Sequence, residues 1–313
     1  MGSLHVVRPG LLTTVQDLGR WGFQSLGVPV SGAMDTFSHR IANVLVGNDQ
    51  SAATLEVTVA GPELVFSDER MVAIAGAMFD LSVDGRAVAS TGAFVVPKGG
   101  VLRFAARVTG ARAYLGVAGG IDVPLVLGSR STYLPARLGG HGGRALAAGD
   151  HVPLGEPADG RAMRRRVAPR SHTRAPDGDR AVRVLAGPQA DRFTDDALDR
   201  LQSGSYRVLP DSGRMACRLE GPVLRHARRA EVISDATPAG TLQVPPAGQP
   251  ILLMADRQTT GGYAKVATVI SADLPMVAQA APGESLSFTV CSQAEALAAL
   301  IAQERTLLAL EDA

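Results

Sequence analysis

Short apolar runs alternate with glycine- and proline-containing stretches along most of the chain. Runs of valine, leucine and isoleucine that are bounded by turn-forming residues are typical of β-strands. The 313 residues include 35 glycines and 19 prolines, which supply many turns between such runs. The pattern therefore predicts a mainly β protein with few helices.

Three segments instead have the spacing of a helix and follow a residue type that caps helices. These segments are residues 36–46, 195–202 and 293–310. Asp35 is a candidate N-cap for the first helix, and Gly47 is placed to end it. Ser292 precedes the last segment, and Glu295 three residues later completes a capping box. We predict two short helices and a longer C-terminal helix.

The chain length of 313 residues is typical of two domains. Residues 156–180 interrupt the apolar pattern with prolines, glycines and seven arginines, as a surface linker does. An anion site at the arginines of residues 161–166 is the alternative interpretation. We predict an N-terminal domain over residues 1–155 and a C-terminal domain over residues 181–313.

Two short patterns recur in the same order in both halves. Residues 114–121 align with residues 263–270, and residues 55–64 align with residues 219–224. A shared order of this kind favours a duplicated unit. We therefore expect two related β-barrel domains whose sites occupy corresponding positions.

Residues 251–263 form the most distinctive stretch, because an apolar strand changes there into a polar cluster with two glycines. The cluster consists of Asp256, Gln258, Thr259, Thr260, Gly261, Gly262 and Tyr263. A tight turn whose polar groups bond one another is one interpretation. A ligand-binding loop on a rigid strand is the other. In either case, the glycines permit a positive φ and a close approach of the backbone to another group.

Loops rich in glycine in the first half carry a second set of candidates. They are Gln16, Asp17, Arg20, Ser31, Asp35, Arg130 and Ser131. One hypothesis is that Gln16, Asp17 and Arg20 face a shared cleft; the alternative is an Asp17–Arg20 pair across a turn. Arg130 stands among three hydroxyl residues and suits the grip of a carboxylate, since arginine binds carboxylates in a fork. A surface arginine in a β-turn has the same sequence pattern.

Charged residues also cluster in the second half. Arg214, Arg218 and Glu220 alternate along a predicted strand, so we expect them to share one face. A solvated face with an ion pair and the floor of a polar site both fit this spacing. Gln243 lies just before the 251–263 stretch and is a further candidate.

Composition excludes several classes of function. A net charge of +1 and a pI of about 7.9 indicate no nucleic-acid partner and no anionic membrane surface. Cys217 and Cys291 lie in apolar surroundings, which favours a reduced, cytoplasmic protein. Lysine occurs only at Lys98 and Lys265. We predict no metal site, no signal peptide and no membrane span.

Known catalytic motifs are also missing from the sequence. The glycine-rich residues 138–144 lack the Lys-Ser/Thr ending of a phosphate loop, and the six histidines are scattered. Chemistry in this chain would then use an acidic residue as the base and Arg, Gln or Thr as electrostatic groups.

Several longer motifs together resemble one protein family. They are residues 9–20 (PGLLTTVQDLGR), 27–35 (GVPVSGAMD), 118–122 (AGGID), 128–131 (GSRS), 218–222 (RLEGP), 243–245 (QVP), 256–263 (DRQTTGGY) and 271–275 (SADLP). The family is allophanate hydrolase subunit 2, also known as biotin-dependent carboxyltransferase, the 5-oxoprolinase C subunit or KipI antagonist. The motifs span nearly the whole chain but do not choose among these activities. Ala216 departs from the glycine that usually follows Arg-Met in the family.

The resemblance implies tandem cyclophilin-like β-barrels and a separate partner chain, the subunit 1 or KipI-like protein. The leading hypothesis is a subunit of an ATP-dependent complex that processes a small amide or ureide, with 5-oxoproline opened to glutamate. ATP would be handled by the complex, since the chain has no recognised nucleotide motif.

The hypothesis assigns roles to the candidates. Asp256 is the general base or accepts a hydrogen bond from the substrate nitrogen, and Gln258 and Thr259 orient the amide. Arg214 or Arg218 offsets developing negative charge. The candidate catalytic set is Asp256, Gln258, Arg214, Arg218 and Glu220, and the candidate substrate-binding set is Gln16, Asp17, Arg20, Ser31, Asp35, Arg130, Ser131, Gln243, Thr259, Thr260, Gly261, Gly262 and Tyr263.

Two alternatives stay open. One is carboxyl transfer to urea or a related amide, with biotin arriving on a separate carrier protein. The other is a non-catalytic antagonist that sequesters a KipI-like kinase inhibitor through an exposed surface. The apolar face of the C-terminal helix, at Leu297, Leu300, Ile301 and Leu308, is one such surface unless it packs on its own barrel.

Overall fold

The computed structural model describes residues 2–157 and 180–311. These residues divide into two compact units. The first unit comprises residues 2–20, 31–157 and 305–311, and the second comprises residues 21–30 and 180–304. The division differs from the predicted boundaries for residues 21–30 and 305–311, which each group with the other half. The predicted linker at residues 156–180 lies almost entirely outside the described residues, and so does its arginine cluster.

Within the described residues, the first unit is built on a nine-stranded sheet. Its strands are β1 Ser3–Arg8, β2 Leu12–Gln16, β3 Thr54–Thr58, β4 Glu63–Phe66, β5 Arg70–Val83, β6 Arg86–Val88, β7 Gly92–Val96, β8 Val101–Val117 and β9 His151–Pro153. The main order is β2-β3-β8-β4-β1-β9, and the long strand β5 pairs with β6, β7 and β8. All of these pairings are antiparallel.

Alternating burial explains why these segments form a sheet with a core on one side. In β1, Leu4 and Val6 are fully buried while His5 between them is partly exposed. In β4, Leu64 and Phe66 are fully buried in the same core cluster. Because successive side chains of a strand point to opposite faces, each of these two strands contributes every second residue to this core.

Helix α1, Thr36–Leu45, packs its apolar residues in a second core cluster of the first unit. The Asp35 side chain accepts hydrogen bonds from the backbone N–H and the hydroxyl of Ser38, at 2.8 and 2.6 Å. The prediction of Asp35 as N-cap is therefore confirmed. Leu307, from the end of the C-terminal helix, is fully buried in this cluster.

The C-terminal helix α4 spans Gln293–Glu311 and begins at the predicted capping box. The Ser292 hydroxyl accepts from the backbone N–H of Glu295 at 3.2 Å, and the Glu295 carboxylate accepts from the backbone N–H of Ser292 at 2.7 Å. Leu297, Ile301 and Leu308 are 57%, 43% and 56% exposed, so much of this helix is solvated. In the described residues, no helix is both long enough and apolar enough to span a membrane.

The second unit contains a closed barrel of seven strands among the described residues. These strands are β10 Arg180–Ala186, β11 Ser205–Val208, β12 Ala216–Glu220, β14 Thr241–Gln243, β15 Ile251–Leu253, β17 Lys265–Val269 and β18 Ser285–Val290. They follow one another around the barrel as β10-β17-β14-β15-β12-β11-β18. Two short helices belong to this unit, α2 Ala197–Ser203 and α3 Leu274–Ala278. The mainly β fold with two tandem units and a C-terminal helix is confirmed.

A two-stranded ribbon accompanies the barrel. It consists of β13, Glu231–Ala236, and β16, Thr260–Tyr263, and pairs Asp235 with Gly261. The end of the 251–263 stretch is therefore a strand and not a turn. Neither Gly261 nor Gly262 has a positive φ, so neither uses the conformational freedom that glycine permits at these positions.

The repeated patterns do not occupy equivalent places in the two units. Strand β3 pairs directly with β8, through Leu55 and Leu115. The matching strand β12 pairs with β11 and β15 and not with β17. The expectation of corresponding sites, which relied on these patterns, is wrong for the strands that carry them.

Candidate functional site

The candidate residues fall into two separate groups, one in each unit. The first unit contains Gln16, Asp17, Arg20, Ser31, Asp35, Arg130 and Ser131. The second contains Arg214, Arg218, Glu220, Gln243, Asp256, Gln258, Thr259, Thr260, Gly261, Gly262 and Tyr263. The two groups have different environments. Their contacts distinguish residues that hold the interior together from residues that are placed to bind a ligand.

In the first unit, Asp17 lies at the centre of a buried polar cluster that we call the Asp17 cluster. One carboxylate oxygen accepts from the backbone N–H of Gly19 at 2.8 Å and from the hydroxyl of Ser129 at 2.7 Å. The other oxygen accepts from the backbone N–H of Arg130 at 2.5 Å. The Ser129 and Ser131 hydroxyls are 2.7 Å apart. These contacts tie the loop after β2 to residues 129–131.

The remaining members of the Asp17 cluster contact the backbone of the same segment. Gln16 and Ser31 both donate to the carbonyl of Thr132, each at 3.1 Å. Arg20 donates to the carbonyl of Ser131. All of these side chains are at least nine-tenths buried. The cluster is therefore well suited to fix the loops of the first unit.

Arg130 is committed to other groups at the edge of this cluster. Its Nε donates to the Val123 carbonyl and its Nη2 to Asp122 Oδ1, both at 2.8 Å. The Arg130 side chain is 31% exposed. The surface-turn interpretation therefore describes this arginine better than the predicted carboxylate grip does.

A buried polar network under α1 was not predicted from the sequence. Tyr114 donates to Glu56 at 2.7 Å and accepts from the backbone N–H of Asp35 at 2.8 Å. His39 Nδ1 lies 2.9 Å from the Thr54 hydroxyl. Burial lowers the pKa of His39 to about 4, so the ring is neutral at pH 7. The sequence pattern of strands β3 and β8 did not indicate that the polar side chains of Thr54, Glu56 and Tyr114 are buried.

In the second unit, Arg214 and Asp256 form a buried ion pair. Arg214 Nε and Nη2 each lie 3.0 Å from one oxygen of the Asp256 carboxylate. The two side chains are only 5% and 3% exposed. Two parallel hydrogen bonds of this kind hold a guanidinium and a carboxylate in one plane. The structure thus brings together two members of the predicted catalytic set.

Arg218 and Glu220 do not join this pair. Strand β12 begins at Ala216, after Arg214, and both residues point outward from it. Arg218 pairs with Asp211 at 3.0 Å, and Glu220 pairs with Arg207, with all four side chains more than half exposed. The prediction that Arg214 shares a face with these two residues is wrong, because the chain turns between residues 214 and 216.

Two amide side chains lie beside the ribbon. Gln258 Nε2 is 3.4 Å from Gln243 Oε1, and Gln243 Nε2 is 3.5 Å from the Tyr263 carbonyl. A Cβ on Gly261 would lie 2.4 Å from Gln243 Nε2. The expected close approach at the glycine pair is therefore confirmed at Gly261, and the group approached is Gln243.

The other predicted residues of this stretch lie on or beside the ribbon. The Thr259 carbonyl accepts from the backbone N–H of Thr237 at 3.1 Å. Thr260 is exposed, Gly262 is partly exposed and Tyr263 is 38% exposed. These residues form an accessible strand next to buried polar groups.

Sequence reasoning missed the ion pair between Lys265 and Asp235. Lys265 Nζ lies 2.6 Å from Asp235 Oδ2, and the two side chains are 2% and 54% exposed. The hydrogen bond from Lys265 lowers the pKa of Asp235, which is therefore ionised at pH 7. One signal was present in the sequence, since Lys265 is one of only two lysines in a chain rich in arginine.

We use the name ribbon cluster for seven second-unit residues that the contacts above and the short chain segment from Asp256 to Lys265 link: Arg214, Asp235, Gln243, Asp256, Gln258, Gly261 and Lys265. It combines two cations, two carboxylates and two amides with a partly exposed strand. Such a set of donors and acceptors suits a small polar molecule that carries an amide and a negative charge.

Comparisons with known proteins agree over most of the chain. The family model of the carboxyltransferase domain, subdomain A and B, matches residues 26–290. The chain is 38% identical to the 5-oxoprolinase C subunit of Escherichia coli over 302 residues, 96% of either chain. It is 36% identical over 285 residues to the protein of that name from Haemophilus influenzae, covering 90% of this chain and 89% of that one.

A solved structure gives the same result. The urea amidolyase of K. lactis is 30% identical to this chain with a TM-score of 0.91. The match covers 99% of this chain and 20% of that protein, so the chain spans about a fifth of the length of this relative.

Proposed function

The chain belongs to the family of the carboxyltransferase domain, subdomain A and B, and from this premise we propose that it is a subunit of an ATP-dependent complex that opens 5-oxoproline to glutamate. The other subunit is a separate KipI-like chain. The observation that carries the proposal is the agreement in length with the 5-oxoprolinase C subunit, which matches this chain over 96% of both sequences. Urea amidolyase contains the same unit as one-fifth of a much longer chain.

The reaction breaks the amide C–N bond of a five-membered lactam. Water supplies the oxygen that forms the new carboxylate, and the ring nitrogen gains protons to become the amino group of glutamate. Hydrolysis of ATP to ADP and phosphate accompanies this uphill ring opening. No residue of this chain is assigned to the nucleotide, which we place with the assembled complex.

The ribbon cluster supplies the groups for the lactam. Asp256 is oriented by the two hydrogen bonds from Arg214. It accepts a hydrogen bond from the N–H of the ring or acts as the general base that takes a proton from the attacking water. Arg214 offsets negative charge that develops on the carbonyl oxygen of the lactam. Gln258, supported by Gln243, orients the amide. Arg218 is not retained in this role, because it is paired with Asp211 at the surface.

Reconstitution tests the proposal. The chain is co-purified with the KipI-like protein of the same organism, and phosphate release from ATP is measured with 5-oxoproline, urea or allophanate. We expect release that depends on 5-oxoproline and on both chains, with glutamate formed in equal amount. Release with urea or allophanate but not with 5-oxoproline would overturn the proposal.

Carboxyl transfer is the second candidate, and the matching family model and the urea amidolyase structure favour it. In that reaction the carboxyl group leaves the N1 nitrogen of carboxybiotin and forms a C–N bond to urea or a related amide, which loses a proton. Transfer of labelled carboxyl groups from free carboxybiotin to urea, with no ATP present, would identify this activity.

A further inference from the structure

We propose that Lys265 is the group in the ribbon cluster that binds a substrate carboxylate. Asp235 forms an ion pair with Lys265 until such a ligand displaces it. This inference rests on the proposed function and narrows it, because it requires the small amide to carry a negative charge. The ring nitrogen and carbonyl are left to other residues of the ribbon cluster.

The first argument is the burial of the ammonium group. The Lys265 side chain is 2% exposed and stands on barrel strand β17. A buried charge is costly unless an opposite charge and hydrogen bonds compensate for it. Nearly all positively charged residues of this protein are arginines. One of its two lysines nevertheless lies where burial of the charge costs free energy.

The second argument is that the ammonium group is incompletely bonded. A lysine ammonium has three N–H donors. In the part of the chain that the structure describes, its one recorded acceptor is Asp235 Oδ2 at 2.6 Å. Two further donors are therefore available to oxygen atoms of a ligand.

The third argument is that Asp235 can leave at low cost. It lies on the ribbon strand β13, and its side chain is 54% exposed. Its second oxygen accepts from the adjacent backbone N–H of Ala236 at 2.7 Å, and the carboxylate also accepts from the side chain of Gln189. Water can solvate this carboxylate once it moves away, whereas the buried ammonium needs another anion. A ligand carboxylate satisfies that need by taking the place of Asp235.

The Arg214–Asp256 pair shows the contrast. Both of its side chains are buried and joined by two hydrogen bonds, so neither partner can leave without exposing a buried charge. The Lys265–Asp235 pair combines one buried and one solvated partner. Of the two pairs, only the second has the asymmetry that exchange with a ligand requires.

The location of Lys265 connects it to the amides of the ribbon cluster. Gln243 is the register partner of Lys265 between β14 and β17, and both side chains are buried. Gly261 leaves no side chain above the Gln243 amide. A carboxylate site next to an amide site is the arrangement that a small amide with one carboxylate group requires.

The two lysines of the chain make a direct test possible. Lysine labelled with carbon-13 at Cε gives two side-chain NMR signals, from Lys98 and Lys265. The Lys98→Arg variant assigns the Lys265 signal without disturbing the site. The labelled chain, complexed with unlabelled partner protein, is titrated with 5-oxoproline and its neutral analogue 2-pyrrolidinone. Acetate and acetamide form a second matched pair.

We expect a saturable shift of the Lys265 signal with 5-oxoproline, a weaker response to acetate and none with the two neutral amides. Asp235→Asn removes the competing negative charge and should tighten binding of the carboxylates by about tenfold. Lys265→Met should abolish the difference in affinity between 5-oxoproline and 2-pyrrolidinone.

The outcomes separate this inference from the proposed function. A Lys265 signal that responds to acetate but no better to 5-oxoproline supports the carboxylate site and removes 5-oxoproline as its ligand. A signal that stays unchanged at saturating 5-oxoproline, in a complex that turns 5-oxoproline over, overturns the inference and leaves the proposed function standing. Lys265 would then serve only to fasten the ribbon to the barrel.

Discussion

The two polar clusters of this protein differ in how their charged side chains are held. In the Asp17 cluster, each carboxylate oxygen of Asp17 accepts from loop groups, and Gln16 and Ser31 converge on one carbonyl. In the ribbon cluster, Lys265 relies on a single solvated carboxylate. Both clusters contain residues that the sequence marks as candidates, but only in the ribbon cluster is a buried cation paired with a solvated carboxylate.

The difference indicates how to separate a site from a scaffold when both are rich in polar residues. Interior clusters satisfy their own hydrogen bonds, since an unpaired buried group is costly. A binding site keeps donors or acceptors that solvent or a ligand completes. Substitutions should therefore act on stability in the Asp17 cluster and on ligand binding at Lys265, with the Arg214–Asp256 pair contributing to both.

The largest expected effect follows Asp256→Ala. The substitution removes the carboxylate that holds the buried Arg214 guanidinium. Breaking a buried pair from one side costs about 3–5 kcal/mol of the free energy of unfolding. Urea denaturation followed by circular dichroism measures the loss.

Asp211→Ala is the matched control for this prediction. It breaks an ion pair of the same unit, with Arg218, whose side chains are 54% and 62% exposed. An exposed pair is worth about 0–1 kcal/mol. Equal losses from the two substitutions would contradict the view that Arg214 and Asp256 are a buried unit.

The next effect concerns His39 and the pH dependence of stability. Burial lowers the pKa of this ring to about 4 in the folded chain, from an ordinary value of 6.5. Between these values the unfolded chain binds a proton that the folded chain does not, so stability falls as the pH falls. The loss approaches about 3 kcal/mol near pH 4, and it is absent above pH 7.

His39→Gln should flatten this dependence. Urea denaturation at pH 7, 5.5 and 4.5 gives the slope for both proteins, and His151→Gln, at an exposed position, is the control. A slope that His39→Gln leaves unchanged would mean that His39 does not account for the sensitivity of the first unit to acid.

A smaller effect is expected from Asp17→Asn. The amide nitrogen of asparagine replaces one oxygen that accepts from a donor, so at least one of the hydrogen bonds from Gly19, Ser129 and Arg130 is lost. A hydrogen bond to a charged group contributes about 1.5–3 kcal/mol. Thermal and urea unfolding measure the change, and Asp122→Asn at a partly exposed pair serves as control. An unchanged unfolding midpoint combined with lost ligand binding would place Asp17 in a binding site.

Local signals predicted much of the fold. Asp35 with Ser38, and Ser292 with Glu295, make the capping contacts that the sequence indicated, because caps depend on residues only three positions apart. The strand Ile251–Leu253 was found for the same reason, since an apolar run specifies burial without reference to distant residues.

Features that depend on distant partners were not predictable in this way. Strand β16 forms because it pairs with Glu231–Ala236, a segment so exposed that it lacks the apolar pattern of a strand. The Lys265–Asp235 pair joins residues thirty positions apart in sequence. Arg214 and Arg218 looked equivalent by spacing, and the chain reversal before β12 buries the first and exposes the second.

The most direct test of the account compares Lys265→Met with Tyr114→Phe in the reconstituted complex, measuring kcat/KM for 5-oxoproline beside the unfolding midpoint of each chain. We predict that Lys265→Met lowers kcat/KM by at least about tenfold, through KM, while its midpoint is retained, because a charged hydrogen bond to the substrate is lost. Tyr114→Phe should lower the midpoint by removing the hydrogen bond to Glu56 and leave kcat/KM unchanged. The reverse result, normal turnover with Lys265→Met and lost turnover with a stable Tyr114→Phe chain, would contradict the assignment of function to the ribbon cluster.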